Sequence, residues 1–502
     1  MDAVSNLLLG LSVAFTLQSV AYAFLGAVIG TLVGVLPGLG PLATMAMLLP
    51  TVYVLDATSA LIMLAGIYYG AQYGGSTTAI LINIPGESSS VVTAIDGYQM
   101  ARQGRAGAAL ATAALGSFFA GCVATLVIVV FAKPLGSVAL EFGAREYFSL
   151  MILGLIGSVV LASGSMLKAI CMVVLGLLLG QIDTDLISGT PRFTFDIDQL
   201  SDGIDFVVLA MGLFGLGEVI ANLGQHAEAR QVFTKNVKGL WLNREEFRQA
   251  WPAVLRGTTL GSALGVLPGA GAVLASFAAY ALEKKVAKDD SGFGHGDIRG
   301  VAGPESANNA AAQTSFIPML SLGIPSGAVM ALMIGAMTIK GIAPGPQVMN
   351  SNPALFWGFI ASMWVGNLML VILNLPLIGI WIKLLTVPYR LLFPAILSFC
   401  CIGLYSLSND NFDIYLAVVF GALGYLFRKL ECEPAPLLLG FVLGPMIEEN
   451  LRRALLLSRG DWSTFVASPL SAGLLLAAAA LVLLMALPAV AGKRKEAFQE
   501  DA

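Results

Sequence analysis

Two apolar stretches of this 502-residue chain are interrupted by nearly the same phrase, Gly34-Val-Leu-Pro-Gly-Leu-Gly40 and Gly265-Val-Leu-Pro-Gly-Ala-Gly271. The copies lie 265 − 34 = 231 positions apart. Proline removes a backbone donor and stops a helix, and glycine lets backbone approach a ligand closely. Such a break in matching places of two halves points to a transporter built from repeats, with its binding site at the breaks.

The solvent for this chain is lipid. It is 57% hydrophobic and 12% charged, with a mean hydropathy of +0.83, whereas soluble domains carry about 25% charged residues. Its 56 glycines suit close helix packing in a bilayer. The expected class is an all-α polytopic membrane protein of about 12 transmembrane segments. A net charge of −4 and only the short basic patch Lys493-Arg494-Lys495 give no nucleic-acid surface. Cys122, Cys171, Cys400, Cys401 and Cys432 form no CxxC pair and read as small buried hydrophobes. The two histidines, His226 and His295, fall in polar loops. No histidine metal site or Ser-His-Asp triad is expected, no cofactor is implied, and an intramembrane lipid-modifying enzyme is disfavoured. No Lys or Arg precedes the first apolar stretch, which therefore reads as retained structure and not a signal peptide.

Candidate spans in the first half are 19–36, 57–82, 106–132, 146–163, 165–182 and 204–223, with 39–55 read as a re-entrant or broken element and 87–104 as an interfacial amphipathic helix. This makes 1–223 a first membrane repeat and the polar stretch 224–251 a linker. Residues 252–465 are a second repeat, with 252–267 and 270–286 echoing the first span and the broken element, then 306–324, 326–343, 354–385, 390–408, 411–427 and 434–447. Residues 466–502 are a last span and tail. Asn83-Ile-Pro-Gly echoes Gly323-Ile-Pro-Ser at an offset of 323 − 83 = 240, nine more than the first pair. The basic tail argues for a cytoplasmic C-terminus. Arg428-Lys429 and Arg452-Arg453 flank one run, so that run reads as a re-entrant or short tilted segment.

An organic anion inside hydrocarbon needs paired charges or donors, and the repeat cores hold almost no Lys or Arg. The remaining donors are backbone N–H groups at broken helix ends, where about half a positive charge gathers, and hydroxyl and amide side chains. The candidate substrate residues are therefore Pro37, Gly38, Gly40, Ser76, Thr77, Thr78 and Asn83 from the first half. Pro268, Gly269, Gly271, Asn308, Asn309, Thr314 and Ser315 come from the second. The run Gly74-Gly75-Ser76-Thr77-Thr78, then Asn83, has as its counterpart Asn308-Asn309, then Gln313-Thr314-Ser315. The plainer reading of these polar clusters is hydrogen-bonding glue between helices. Glu87, Glu218 and Glu305 are candidates to hold a coupling H⁺ or Na⁺, Glu87 and Glu305 being equally readable as helix caps. Lys168 and Lys340 read as snorkelling cations.

The segment Pro304-Glu-Ser-Ala-Asn-Asn-Ala-Ala311, with the two Val-Leu-Pro-Gly phrases, Tyr69-Gly-Ala-Gln-Tyr-Gly-Gly-Ser-Thr77, Asp413-Ile-Tyr415 and Gly444-Pro-Met-Ile-Glu-Glu-Asn-Leu-Arg-Arg453, resembles the large membrane (permease) subunit of the tripartite tricarboxylate transporters over residues 10–490. The resemblance implies a bacterial inner-membrane permease with two inverted repeats and an elevator-like movement. It also implies two partners, a small membrane subunit and a periplasmic solute-binding protein. Uptake of citrate-like carboxylates would be symport driven by an ion gradient, with no enzymatic activity. A passive anion channel is the alternative that residue reading leaves standing.

Overall fold

The computed structural model describes residues 3–36, 40–139, 141–161, 165–185, 188–223, 237, 239–267, 271–384, 394, 397–398, 400–405 and 409–486. Among the described residues the fold is helical, with one short antiparallel strand pair, Asp183–Thr184 against Pro191–Arg192. The helices that position the site are α1 (Ala3–Ala14), α2 (Leu17–Val35), α3 (Pro41–Val54), α4 (Ala57–Ile82), α5 (Val91–Arg102) and α6 (Ala106–Ala139) in the first half. They are followed by α7 (Ala144–Leu161), α8 (Met166–Leu179), α9 (Phe206–Ala210), a π-wound turn Met211–Leu216 and α10 (Gly217–Leu223). The second half begins with α11 (Arg244–Gly265), α12 (Gly271–Val286), α13 (Arg299–Thr314), α14 (Phe316–Leu322) and α15 (Ala328–Ile339). Next come α16 (Val348–Ser351), α17 (Pro353–Asn374) and α18 (Ile378–Leu384), with later helices at Asn411–Lys429, Ala435–Leu457 and Pro469–Ala486. Among the described residues, Leu17–Val35, Ala106–Ala132 and Pro353–Asn374 are long and apolar enough to cross a bilayer by themselves, and shorter apolar helices accompany them.

Glycine sets the closest packing. A Cβ at Gly26, Gly30 or Gly34 of α2 would strike the carbonyl oxygen of Met63, Ile67 or Ala71 in α4, so the two helices run parallel at backbone contact. Yet α3 lies between them in sequence. Gln18, at the start of α2, donates to Asp56 at the start of α4 over 2.6 Å, so α3 must carry the chain back to the end it left. The expected re-entrant element is thus a helical hairpin whose tip is the Gly40 break. In the second half, a Cβ at Gly257, Gly261 or Gly265 of α11 would strike the carbonyl of Gly303, Ala307 or Ala311 in α13. The glycines are displaced by 257 − 26 = 231 and their partners by 303 − 63 = 240, the two offsets read from the sequence.

The breaks after α4 and α14 also correspond. Asn83 caps α4 at φ 58° and Gly323 caps α14 at φ 72°, both left-handed. The Gly86 amide reaches the Gly75 carbonyl at 3.5 Å, and the Ser326 hydroxyl reaches the Ser315 carbonyl at 3.1 Å. Register follows from this: Ser315 stands where Gly75 does, so the hydroxyl-rich runs Ser76-Thr77-Thr78 and Thr314-Ser315 do not superpose residue for residue. The halves interlock. In one direction α6 packs along α13, where Thr125 donates to Gln313 at 2.8 Å. In the other, α17 packs along α4 and α2, where Asn374 reaches Thr31 at 3.4 Å.

Three expectations change. The helix α5 is more than a surface element: its face Val92, Thr93, Asp96 and Met100 is buried, and Asp96 accepts from the Gly296 and Asp297 amides (2.8 and 2.9 Å) and from the Tyr280 hydroxyl (2.9 Å). The run at 434–447 is part of one 23-residue helix, Ala435–Leu457, about 34 Å long at 1.5 Å per residue, longer than the short segment expected. Its far basic flank needs no cytoplasm, since Arg452 pairs with Asp185 at 2.9 Å and Glu448 at 2.5 Å. Finally, α11 begins at Arg244, inside the stretch read as linker, where Asn243 and Glu246 form a capping box.

Candidate functional site

The buried polar residues of the two halves meet at one carboxylate. Glu305 is 1% exposed and lies on α13 after Pro304, a residue that breaks the helix's own ladder. Ser76 of α4 donates to its two oxygens, at 2.8 and 2.7 Å. Thr93 of α5 donates to Oε1, and Ser117 of α6 reaches Oε2 at 3.5 Å. Asn309, one turn along α13, donates to Ser117 at 2.7 Å and to the Glu305 carbonyl at 3.1 Å. Thr77 and Thr78 are spent locally, donating to the carbonyls of Tyr73 (3.1 Å) and Gly75 (2.8 Å).

A second carboxylate stands beyond the first break. Glu87 accepts from Asn308 at 3.2 Å and from Ser89, and Ser89 also reaches Gln72 at 2.9 Å. Gly75 makes room for it, since a Cβ there would stand 2.7 Å from Glu87 Cγ. The helix α12 packs against the adjoining Ser88–Ser90 turn. Among the described residues, no Lys or Arg pairs with Glu87 or Glu305.

The remaining sequence candidates separate. Thr314 and Ser315 donate within their own helix, to Ala310 (3.0 Å) and Ala312 (2.6 Å). Asn83 is exposed at its left-handed cap. Gly40 and Gly271 open α3 and α12, and open space surrounds the position of a Cβ at each. Pro37, Gly38, Pro268 and Gly269 lie outside the described residues. Glu218 stands apart from this cluster and is ion-paired with Arg428. Lys168 and Lys340 reach the backbone carbonyls of Leu430 (2.7 Å) and Tyr53 (2.9 Å).

Sequence reasoning missed Thr93, Ser117, Gln72, Tyr73 and Asn374. For Ser117 and Asn374 a signal existed: a polar side chain inside an apolar span is a candidate by its cost alone. Thr93 was hidden by the reading of its helix as interfacial. The cavity shared by Tyr73, Ser76, Ser117, Glu305 and Asn374 is about 10 Å³, at the threshold for one water and far below the ~300–1,000 Å³ of a small-molecule pocket. This arrangement can hold a particle the size of a water or a bare ion. A carboxylate substrate needs other room. Among the described residues no group of three or more His, Cys, Asp or Glu side chains can hold a metal.

Comparison with known proteins adds the following. A family model described as "Tripartite tricarboxylate transporter TctA family" matches residues 20–439. An uncharacterized 52.8 kDa protein in the TAR-I ttuC' 3' region of Agrobacterium vitis is 61% identical over 501 residues, covering all of both chains. An uncharacterized protein in the TAR-II ttuC' 3' region of the same organism is 62% identical over 241 residues, 48% of this chain and all of that relative. No solved structure matches.

Proposed function

Because the chain belongs to the tripartite tricarboxylate transporter TctA family, a transporter and not an enzyme family, we propose that it is the permease of a secondary active importer for citrate-like or related small organic acids. One observation carries the reading. Polar side chains from opposite halves join in a buried seam, where Ser76 of one half bonds Glu305 of the other. A seam of this kind inside an apolar protein is costly, and a pathway for polar cargo accounts for it.

The substrate's carboxylates bind at the open tips near Gly40 and Gly271, where the N-termini of α3 and α12 offer unpaired N–H groups, with the exposed Asn83 at the C-terminal cap of α4 as a further donor. The amide of Asn308 is shared with that space. The residues Ser76, Thr77, Thr78, Asn309, Thr314 and Ser315, whose hydroxyls and amides are already engaged, build the walls. Glu305 holds the coupling cation.

The duplication is inverted in this reading. Ser76 lies beside Glu305 while Tyr69 packs edge-on against Phe316 (6.4 Å), so α4 and the α13–α14 pair run antiparallel. The matching offsets of 231 and 240 support two homologous repeats. About a dozen crossings, alternating access by an elevator-like movement, and the partners named by the tripartite architecture, a small membrane subunit and a periplasmic binding protein, complete the proposal. Arg105 bonds Glu246 at 3.0 Å and the Gly296 carbonyl at 3.2 Å. The basic residues around α5's end, α11's start and the 284–299 loop therefore share one end, which the positive-inside rule assigns to the cytoplasm of the bacterial inner membrane.

The test is uptake of radiolabelled citrate, and of a panel of di- and tricarboxylates, into proteoliposomes holding the permease with its small subunit and binding protein. Accumulation above the external concentration, collapsing with an ionophore and indifferent to ATP, is expected. Equilibration without accumulation would make the protein a channel, and dependence on ATP would make it a pump.

A further inference from the structure

The duplication is broken at one place, and both carboxylates sit there. Shifting by 240 positions carries Ser76, Thr93 and Glu305 onto Phe316, Met333 and Ala65 (305 − 65 = 240), and carries Glu87 onto Gly327. Phe316, Met333 and Ala65 are each fully buried and apolar. One pole of the pseudo-symmetric core is thus a carboxylate ringed by hydroxyls, and the mirrored pole is hydrocarbon. Fold symmetry alone would have produced two equal poles, so the difference lies in what one of them holds.

The polar pole is under-satisfied in a particular way. The Tyr73 hydroxyl and Asn374 Oδ1 both belong to side chains 3% exposed, both lack a hydrogen-bond partner, and both residues line the small cavity that Glu305 also lines. An orphaned buried oxygen costs about 1–3 kcal/mol, and an uncompensated buried carboxylate costs several. Protonating Glu305 would answer only the second debt, and it would set an O–H against the hydroxyls that already donate to that carboxylate. A cation in the cavity answers both.

We infer that this cavity is a single Na⁺ site, formed by Glu305, Ser76, Ser117, the Tyr73 hydroxyl and Asn374 Oδ1. One carboxylate with neutral oxygens matches one unit of positive charge, which separates it from the several carboxylates that gather around Ca²⁺. The volume excludes a hydrated ion and the larger K⁺ fits it less well. The mirrored pole binds nothing. That this ion drives uptake rests on the function proposed above, but its binding does not.

The experiment uses the purified full-length permease in detergent, without substrate or partners. Thermal unfolding is followed in choline chloride while NaCl or KCl replaces it at constant ionic strength, with ²²Na⁺ binding measured in parallel. NaCl raises the midpoint saturably and KCl does not. Glu305→Gln abolishes the response, and Tyr73→Phe and Asn374→Leu each weaken Na⁺ affinity by about 10–100-fold. Should Glu305→Gln fail to fold, Tyr73→Phe carries the test, since it removes only the orphaned hydroxyl. Equal stabilisation by Na⁺ and K⁺, a wild-type Na⁺ response in Tyr73→Phe, or a midpoint that follows pH and ignores Na⁺ overturns the inference, the last in favour of a proton. Na⁺ binding in a protein that accumulates no carboxylate would leave the site standing and remove the importer; accumulation without Na⁺ binding would do the opposite.

Discussion

The Ser76 hydroxyl lies within 2.8 Å of both carboxylate oxygens of Glu305, 229 residues away in the chain. It joins the two halves through a hydrogen bond to a carboxylate that, among the described residues, has no Lys or Arg partner; ionised, that carboxylate makes the bond a charge-assisted one. Such bonds are roughly twice as strong as neutral ones. Ser76→Ala removes a donor and leaves the carboxylate half-served, with an expected loss of about 1–3 kcal/mol. Ser76→Thr restores the hydroxyl in a slightly larger side chain. The expected order of thermal midpoints is wild type above Ser76→Thr above Ser76→Ala, measured on protein purified under one condition. An unchanged midpoint for the alanine variant would mean that the bond between the halves is dispensable.

Asn308 and Asn309 are neighbours with separate duties. Asn309 holds Ser117 and the Glu305 carbonyl and is a wall residue. Asn308 gives one amide hydrogen to Glu87 and leaves its own Oδ1 unpartnered. Asn309→Leu should therefore lower the thermal midpoint and uptake together. Asn308→Leu should lower carboxylate uptake at least about tenfold while costing less stability, since fewer bonds are lost. Midpoints and initial uptake rates for the two variants, set side by side, decide it. Equal stability losses would deny the division.

The architecture was legible because it is written in covalent constraints. Pro and Gly at 37–40 and 268–271 forbid continuous helix, and the spacing of 231 and 240 between landmarks reappears in the backbone contacts of Gly26 with Met63 and Gly257 with Gly303. The site was only partly legible. Residue type indicated that Ser76, Asn309 and Glu305 would lie in a polar seam, but not that they would bond one another, because that depends on the antiparallel passage of α4 and α13. The expectation of a cation-free seam open to an anion overlooked that internal carboxylates would occupy its donors first. The helix α5 was misjudged because Asp96, Arg102 and Arg105 resemble a solvated face. Asp96 is in fact consumed by two amides and a tyrosine from the second half.

Glycines at the contacts and glycines at the tips should respond oppositely. A Cβ at Gly30 or Gly261 runs into the carbonyl of Ile67 or Ala307, backbone that cannot move aside without separating the helices. Gly30→Val and Gly261→Val are each expected to cost about 1–3 kcal/mol or more and to reduce the yield of folded protein. Gly40 has φ −75° and open surroundings, so Gly40→Ala should change stability by no more than about 0.5 kcal/mol. Gly271 has open surroundings but φ +54°, and Gly271→Ala should cost about 1–2 kcal/mol from backbone strain alone. If the tips bind substrate, Gly40→Ala also reduces uptake in a protein of normal stability. Size-exclusion profiles and unfolding midpoints separate the three classes.

Labelling can assign the two basic flanks of the helix Ala435–Leu457 to sides of the membrane. The helix runs parallel to α8. Lys168 at the start of α8 meets the Leu430 carbonyl at 2.7 Å, and beyond the end of α8, Arg192 meets Glu448 at 2.8 Å and Asp183 at 2.7 Å. A helix of 23 residues is long enough for the ~30 Å hydrocarbon core, and if it crosses, its two ends lie in different aqueous spaces. Leu430 and Leu456 are both exposed. Cysteines placed there, in a background whose five native cysteines are replaced, should be labelled by a membrane-impermeant maleimide from opposite sides, Leu456→Cys in intact cells and Leu430→Cys only after permeabilisation. Labelling of both from one side would favour the re-entrant reading of this segment. It would also leave Arg452-Arg453 on the basic, cytoplasmic face, with the Arg192–Asp183–Glu448 network as an inward-facing structure.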